Sequence, residues 1–307
     1  MKSALLPERG VVKVVGDGAR KFLHGLVTAD VLDLKPGEAK FCALLTPQGK
    51  IVADFLVTEA PASAGGGFFL DVERTQIATL IDKLNLYKLR AKVIAEDLSD
   101  VLGVLAAWNG IADRGSLPAA DETGEAVGLG YKDPRLPALG LRAMLPPHRA
   151  AAAAAALGAE LVDAAAYEAH RIALGIPRGG LDFAYGDAFP HEADMDQLGG
   201  VDFQKGCYIG QEVVSRMEHR GTARSRAVPI EYDGAAPERA APVVAGDRTL
   251  GVMGSAAAGR GIALLRLDRV ADALANAETL TAAGVPIRPI KPDWAKFTFP
   301  GESKAAQ

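Results

Sequence analysis

The sequence has few cysteines: Cys42 and Cys207 are the two thiols in 307 residues. Two thiols cannot staple a chain of this length. Nor can they alone supply the four thiolates of a structural zinc or iron–sulfur site. They suit a reducing compartment. Positive charge is not in excess either, with 34 Lys and Arg against 38 Asp and Glu, a net charge of -4. That balance argues against a general nucleic-acid binder. Long apolar runs are missing as well. The longest, 150–159, is too short to span a bilayer. Near the N-terminus, Glu8, Arg9, Lys13, Asp17, Arg20 and Lys21 interrupt any signal-peptide core. A soluble cytoplasmic protein with no membrane partner is expected.

What is present is ordinary globular material, 49% hydrophobic and 23% charged, long enough for two or three domains or one large one. The N-terminal part reads as mixed α and β. The β-branched run 11–15 lies between glycine turns, and residues 19–26 read as a short helix with Phe22, Leu23 and Leu26 on one face. Segments 41–45 and 51–57, joined by Thr46-Pro47-Gln48-Gly49-Lys50, predict a hairpin. A strand over 68–72, a helix over 74–86 and a strand over 92–96 follow. Residues 101–108 suggest a buried strand, 117–133 a loop and 139–145 a strand. The seven alanines from Ala150 to Ala156 favour a helix over a linker. A further helix is predicted over 164–174, stopped by Gly175 and Pro177. From Ala227 onward, short strands at 228–232, 242–244, 249–255, 261–267 and 285–289 suggest a small barrel or sandwich. The expected division is residues 1–226, residues 227–300, and a disordered tail at 301–307.

The densest chemistry is Lys205-Gly206-Cys207-Tyr208-Ile209-Gly210-Gln211-Glu212. A nearby ammonium favours thiolate, which marks Cys207 as a reactive centre and Lys205 as its activator. Glycine on both sides permits unusual dihedrals and close approach of a ligand. A helix expected over 211–218 would direct its positive end toward the thiol. The bland alternative is a structural cysteine in a turn, which is the reading kept for Cys42 on its strand. Arg216, Arg220, Arg224 and Arg226, with His219, form a basic stretch suited to an anion such as a carboxylate tail or a phosphate. Their alternative is a solvated basic face. His191 has no second metal ligand at standard spacing, so no metal site is expected. Gly16-Asp17-Gly18 and Gly65-Gly66-Gly67 complete no nucleotide-binding motif and read as turns.

The eight-residue segment, followed by Arg216 and Arg220-Gly221, closely resembles the signature of the YgfZ-type folate-binding proteins. These are relatives of the glycine-cleavage T-protein, an aminomethyltransferase. Bacterial members are named tRNA-modifying proteins, and mitochondrial members iron–sulfur cluster assembly factors. The resemblance extends to Thr28-Ala29-Asp30-Val31, residues 43–57 and Leu86-Tyr87-Lys88-Leu89-Arg90. It continues through 171–177, Pro190-His191-Glu192-Ala193 and 250–255, nearly the whole chain. It implies an α+β, T-protein-like folate-binding fold with antiparallel sheets, built as two intertwined subdomains, plus a small C-terminal β-barrel. It also implies tetrahydrofolate or a one-carbon derivative as cofactor. Glu192 occupies the position that binds the pterin, where a carboxylate can accept two parallel hydrogen bonds. Tyr87 is a candidate to stack on a flat ring. Arg216, Arg224 and Arg226 are candidates for the folate tail.

One departure is informative. Aminomethyltransferases carry an Asp-Asp pair in the equivalent hairpin strand, where this chain has Ala53-Asp54. Successive strand residues face opposite sides, so Asp54 cannot stand in for a lost acid at position 53. The leading expectation is therefore a folate-binding accessory protein serving iron–sulfur enzymes, with client or assembly proteins as partners. The alternatives are a folate-dependent aminomethyl- or methyltransferase, which Ala53 opposes, and a tRNA-modification factor, which the net charge does not support.

Overall fold

The structure is a computed structural model and describes residues 1–110, 128–221 and 223–297. The expected tail at 301–307 lies outside the described residues, as does most of the loop expected over 117–133. In chain order the elements are β1 (Lys2–Leu5), β2 (Arg9–Val15), α1 (Ala19–His24), β3 (Ala39–Leu45), β4 (Ile51–Glu59) and β5 (Phe68–Glu73). Then come α2 (Ile77–Tyr87), β6 (Ile94–Asp97), β7 (Gly103–Trp108), β8 (Leu129–Lys132), β9 (Leu141–Leu145), α3 (Ala150–Leu157) and β10 (Glu160–Leu161). The rest are α4 (Ala164–Ala173), α5 (Gln211–Arg220), β11 (Ser225–Tyr232), β12 (Pro242–Ala245), β13 (Arg248–Ala257), β14 (Arg260–Arg266), α6 (Leu267–Ala275), β15 (Leu280–Ala282) and β16 (Val285–Pro289). No helix among the described residues is long and apolar enough to cross a membrane.

The chain forms two compact units. An N-terminal unit takes Met1–Tyr167 and Leu198–Gln211; a C-terminal unit takes Glu168–Gln197 and the chain from Glu212. The N-terminal unit holds two five-stranded sheets, ordered β10-β1-β7-β9-β8 and β3-β4-β5-β2-β6. Pairing is antiparallel apart from the short β1–β10 ladder. One face of the second sheet is apolar. Val12, Val14, Ala53, Phe55, Leu70 and Val72 pack there with Leu23 of α1 and Leu80 and Leu84 of α2. This follows from strand alternation meeting the three-four spacing of a helix. The alanine-rich α3 buries Ala150, Ala153 and Leu157 against Leu105, Leu141 and Leu145 of the first sheet.

Strand β8 corrects the loop reading of 117–133. Leu129–Lys132 pairs antiparallel with β9, and Tyr131 is buried. Glycine and acidic residues upstream obscured a four-residue strand whose stability comes from its partner, not its propensity.

The C-terminal unit contains a closed antiparallel barrel, β11-β14-β13-β12-β15-β16. Val228, Ile230, Val243, Leu250, Ala263 and Leu265 fill its interior. Helix α6 was not anticipated, although Leu267, Val270 and Ala271 have helical spacing and are buried. The chain enters it directly from a strand with no turn residues between, so the change of period is easy to overlook.

Candidate functional site

In the N-terminal unit the cysteine loop is fastened to parts of the chain far away in sequence. Thr28 Oγ1 donates to Gly200 O at 2.5 Å and accepts from Ala43 N–H at 2.9 Å. Asp202 N–H donates to Thr28 O at 2.9 Å. Asp202 Oδ1 then accepts from the N–H groups of Gln204 and Lys205, at 2.8 and 3.1 Å. Gly210 rests on the β3–β4 turn with φ of 81°, and an added Cβ would stand 2.6 Å from Thr46 O. Only glycine meets both conditions. Gly206 differs: its φ is not positive, and an added Cβ would have His24 Nε2 as nearest neighbour, at 4.0 Å. Its conformation therefore does not require glycine, although open space over the backbone remains.

Lys205 has a structural role that its sequence position does not show. Its Nζ donates to three backbone carbonyls, His24 O at 2.6 Å, Val27 O at 2.6 Å and Ala29 O at 3.0 Å. An ammonium has three protons, so all are committed and none remains for the Cys207 sulfur. The cation also lies 5.1 Å from the centroid of the Tyr208 ring. Burial lowers its pKa to about 8, which leaves it protonated near neutral pH. Lys205 thus braces the loop. Tyr208 is buried too, and its Oη has no hydrogen-bond partner among the described residues. Burial raises its pKa to about 12.

Between these two buried side chains, Cys207 is free and exposed. Cys42 is free and fully buried on β3, where desolvation pushes its thiol well above the ordinary range. The two thiols therefore divide into one inert and one accessible to solvent. Gln211, half-buried, donates its N–H to Tyr208 O at 3.3 Å, at the start of α5. Tyr87 ends α2, half-buried and packed on the apolar core of its unit. Ala53 lies within that core, while Asp54 pairs across the ladder with Ala43.

In the C-terminal unit Glu192 is half-buried, and its Oε2 accepts from Phe189 N–H at 2.9 Å. Its backbone carbonyl accepts from Ala227 N–H at 2.8 Å. The carboxylate is therefore held in place through one oxygen. The basic stretch splits. Arg226 is buried and donates to His191 O, Asp194 Oδ1 and both oxygens of Asp196, at 2.8 to 2.9 Å. It is consumed internally and corrects the expectation of a free anion-binding guanidinium. Arg216 is exposed and pairs with exposed Glu212 one helical turn away, a contact that contributes little. Arg224 is exposed. Asp194 adopts φ of 54° and is buried. Burial, with Asp196 nearby, raises its pKa to about 8 against the opposing influence of Arg226.

A second clamp in this unit joins two segments singled out by resemblance alone. Arg171 Nη1 donates to Asp182 Oδ2 and its Nη2 to Ser255 Oγ, both at 2.8 Å. Asp182 Oδ1 also accepts from Ser255 N–H at 2.7 Å. An added Cβ on Gly254 would stand 2.4 Å from that same oxygen. Sequence reasoning missed Asp182, for which the buried Arg171 is the one available signal.

The fold is that of the T-protein class. The structure of the glycine cleavage system aminomethyltransferase T from Bartonella henselae superposes with a TM-score of 0.72 over 96% of this chain and 86% of that one, at 16% identity. Residues 224–297 match the family described as the CAF17 C-terminal beta-barrel domain. Among curated proteins, the mitochondrial iron-sulfur cluster assembly factor IBA57 homolog of Coccidioides immitis is 30% identical over 305 residues, covering 90% of this chain and 71% of that protein. The homolog from Mycosarcoma maydis is 35% identical over 240 residues, covering 75% of this chain. That match spans 57% of the Mycosarcoma protein, little more than half its length. The chain belongs to the family of the IBA57 homologs.

Proposed function

We propose that this protein is a tetrahydrofolate-binding accessory factor for the assembly or repair of iron–sulfur enzymes, with Cys207 as its working thiol. The name borne by its relatives, iron-sulfur cluster assembly factor, supports the process. The observation that carries the reading is the exposed Cys207 on a loop whose neighbours Lys205 and Tyr208 are buried. Such a loop offers a thiol to solvent without itself being loose. One thiolate cannot hold a cluster, so the cluster is cargo shared with ligands of a client or assembly protein.

The residues fit a folate in part. Glu192 has an oriented, half-buried carboxylate suited to the amino-pyrimidine edge of a pterin. The exposed Arg216 and Arg224 are the candidates for the anionic tail, and Arg226 positions the segment carrying Glu192. Tyr87 belongs to the N-terminal unit, where it packs on the apolar core with part of its ring accessible. Bound tetrahydrofolate, or a one-carbon derivative, would supply a reduced pterin or a one-carbon unit. A transferase proper is disfavoured, because Ala53 is in the apolar core where an acid would be costly. A tRNA role has no support from a net charge of -4. The reducing cytoplasm is the proposed location, whereas the relatives are mitochondrial by name.

Two measurements test this reading. Tetrahydrofolate should bind the purified protein in a calorimeter, and Glu192→Gln should weaken it about tenfold or more, the loss of one charge-assisted bond. Absence of binding removes the folate half. Cys207→Ala should fail to restore cluster-dependent enzyme activity in a deletion strain. Full restoration removes the thiol half.

A further inference from the structure

Glu218 lies far from His191 and Asp196 in sequence, yet the C-terminal unit brings the three together. Each offers one ligand atom, and the three atoms lie within 4.8 Å of one another. His191 Nε2 is 3.1 Å from Glu218 Oε2. The imidazole comes from the segment before Glu192 and is 2% exposed; Glu218 comes from α5 and is 44% exposed. The cluster is therefore anchored on a buried ring and open to solvent at one carboxylate.

The third group is already oriented. Arg226 holds Asp196 by both oxygens, at 2.9 and 2.8 Å. Oδ2 also accepts from Gln197 Nε2 at 3.5 Å, whereas Oδ1, with two lone pairs and the one Arg226 bond, retains a lone pair for a ligand. Outer hydrogen bonds of this kind fix ligating carboxylates in metal sites. A separate observation concerns charge. Asp194, fully buried, shares the same Arg226 nitrogen at 2.9 Å, and its Oδ2 has no hydrogen-bond partner among the described residues. Asp196 and Glu218 bring two carboxylates to the cluster, and Arg226 supplies one positive charge, which it shares with Asp194. Two carboxylates facing one guanidinium leave a negative charge that favours a bound cation.

We propose that His191, Asp196 and Glu218 form a binding site for a divalent first-row transition ion, with solvent completing its shell. One imidazole nitrogen with two carboxylates suits iron(II), manganese(II), cobalt(II) or zinc(II). Calcium and magnesium prefer all-oxygen sets. Bonds of about 2.0–2.2 Å need the donors closer than they now lie, and the exposed Glu218 side chain is the one free to close that gap. The site requires neither folate nor the thiol, so it stands apart from the function proposed above.

The test uses the full chain carrying Cys207→Ala, which removes the exposed thiol as a competing ligand. Cobalt(II) is titrated and read by visible absorption, and manganese(II) by electron paramagnetic resonance. One equivalent should bind, with a d–d spectrum of nitrogen–oxygen coordination and no sulfur charge-transfer band. Adding Glu218→Ala should weaken binding at least about tenfold. Adding Glu212→Ala, on the same helix and also exposed, should leave it unchanged. Excess magnesium should not compete. Two results would overturn the site: no saturable binding up to about 1 mM ion, or equal affinity with and without Glu218. Circular dichroism of the Glu218→Ala protein separates loss of a ligand from loss of the fold, since an exposed helical residue should leave the spectrum intact. Failure here leaves the folate and thiol tests above unaffected.

Discussion

Arg142 of β9 donates through Nη1 to Asp71 Oδ2 of β5 at 2.7 Å, joining the two sheets of the N-terminal unit by a bond closed to solvent. The same carboxylate accepts from Arg9 Nε at 2.6 Å and Tyr131 Oη at 3.1 Å. Arg142 reaches on to Asp133 at 2.9 Å and Tyr167 at 3.0 Å. Arg135 pairs with Asp133 from the other side. The pairing is dense because every buried charge must be met by another or neutralise itself.

Asp71→Asn removes one charge from that network and leaves Arg9 and Arg142 facing a neutral amide. The expected loss is about 3–5 kcal/mol, the cost of breaking a buried pair. It is read as a lower urea midpoint at unchanged slope. A loss within the range of a surface substitution would mean that water reaches this network.

Acid should act through the same residues. Burial alone would raise the Asp71 and Asp133 carboxyls, but the guanidiniums override it. Arg9 and Arg142 hold Asp71 below the usual carboxylate range; Arg135 and Arg142 do the same for Asp133. Their folded values lie below the unfolded value of about 3.9. The unfolded chain then takes up protons first as pH falls. The stabilisation is fully present above about pH 4–5 and is lost as pH drops through the folded values. Urea midpoints from pH 7 to 3 should fall below about pH 4, and Asp133→Asn should make that fall shallower. An identical fall in the variant would assign acid lability to other groups.

Most of the fold was legible where one period dominates. The β3–β4 hairpin, α2, the alanine helix α3 and most barrel strands occur where predicted. Strand β8 and helix α6 were hidden for opposite reasons, one by polar composition and one by abutting a strand. Of the site, Cys207 and Glu192 could be found from the signature and from Pro190-His191-Glu192-Ala193. What Lys205 and Arg226 bind could not be, since three backbone carbonyls and two distant aspartates leave no trace in local pattern. The meeting of His191 with Glu218 across 27 positions is equally invisible to ligand-spacing rules.

The two signature glycines should separate on substitution. Gly210→Ala forces a side chain into a left-handed turn and onto Thr46 O. A loss of about 1–3 kcal/mol is expected from the strained backbone, with more from the clash. Gly206→Ala meets open space, and its stability should stay within about 0.5 kcal/mol of wild type. If a ligand approaches the backbone at Gly206, this stable variant will still lose activity. Parallel thermal melts and complementation assays distinguish the two residues. Equal destabilisation by both would contradict the geometry of the loop.

Lys205→Met tests whether the lysine braces the loop or activates the thiol. The substitution keeps an unbranched chain of similar length and removes three donors, leaving the His24, Val27 and Ala29 carbonyls without them. Unmet carbonyls in a buried place cost about 1–3 kcal/mol. The loop should therefore loosen, with faster amide exchange around residues 24–29 and 203–208. Thiol reactivity gives the sharper answer. A lysine that activates Cys207 would lower the thiolate pKa, so its removal would slow alkylation steeply at pH 7 and shift the rate profile to higher pH. A brace predicts the alkylation profile of Cys207 near its wild-type midpoint, with exchange accelerated. A pH midpoint raised by a unit or more in Lys205→Met, with amide exchange unchanged, would reverse the assignment.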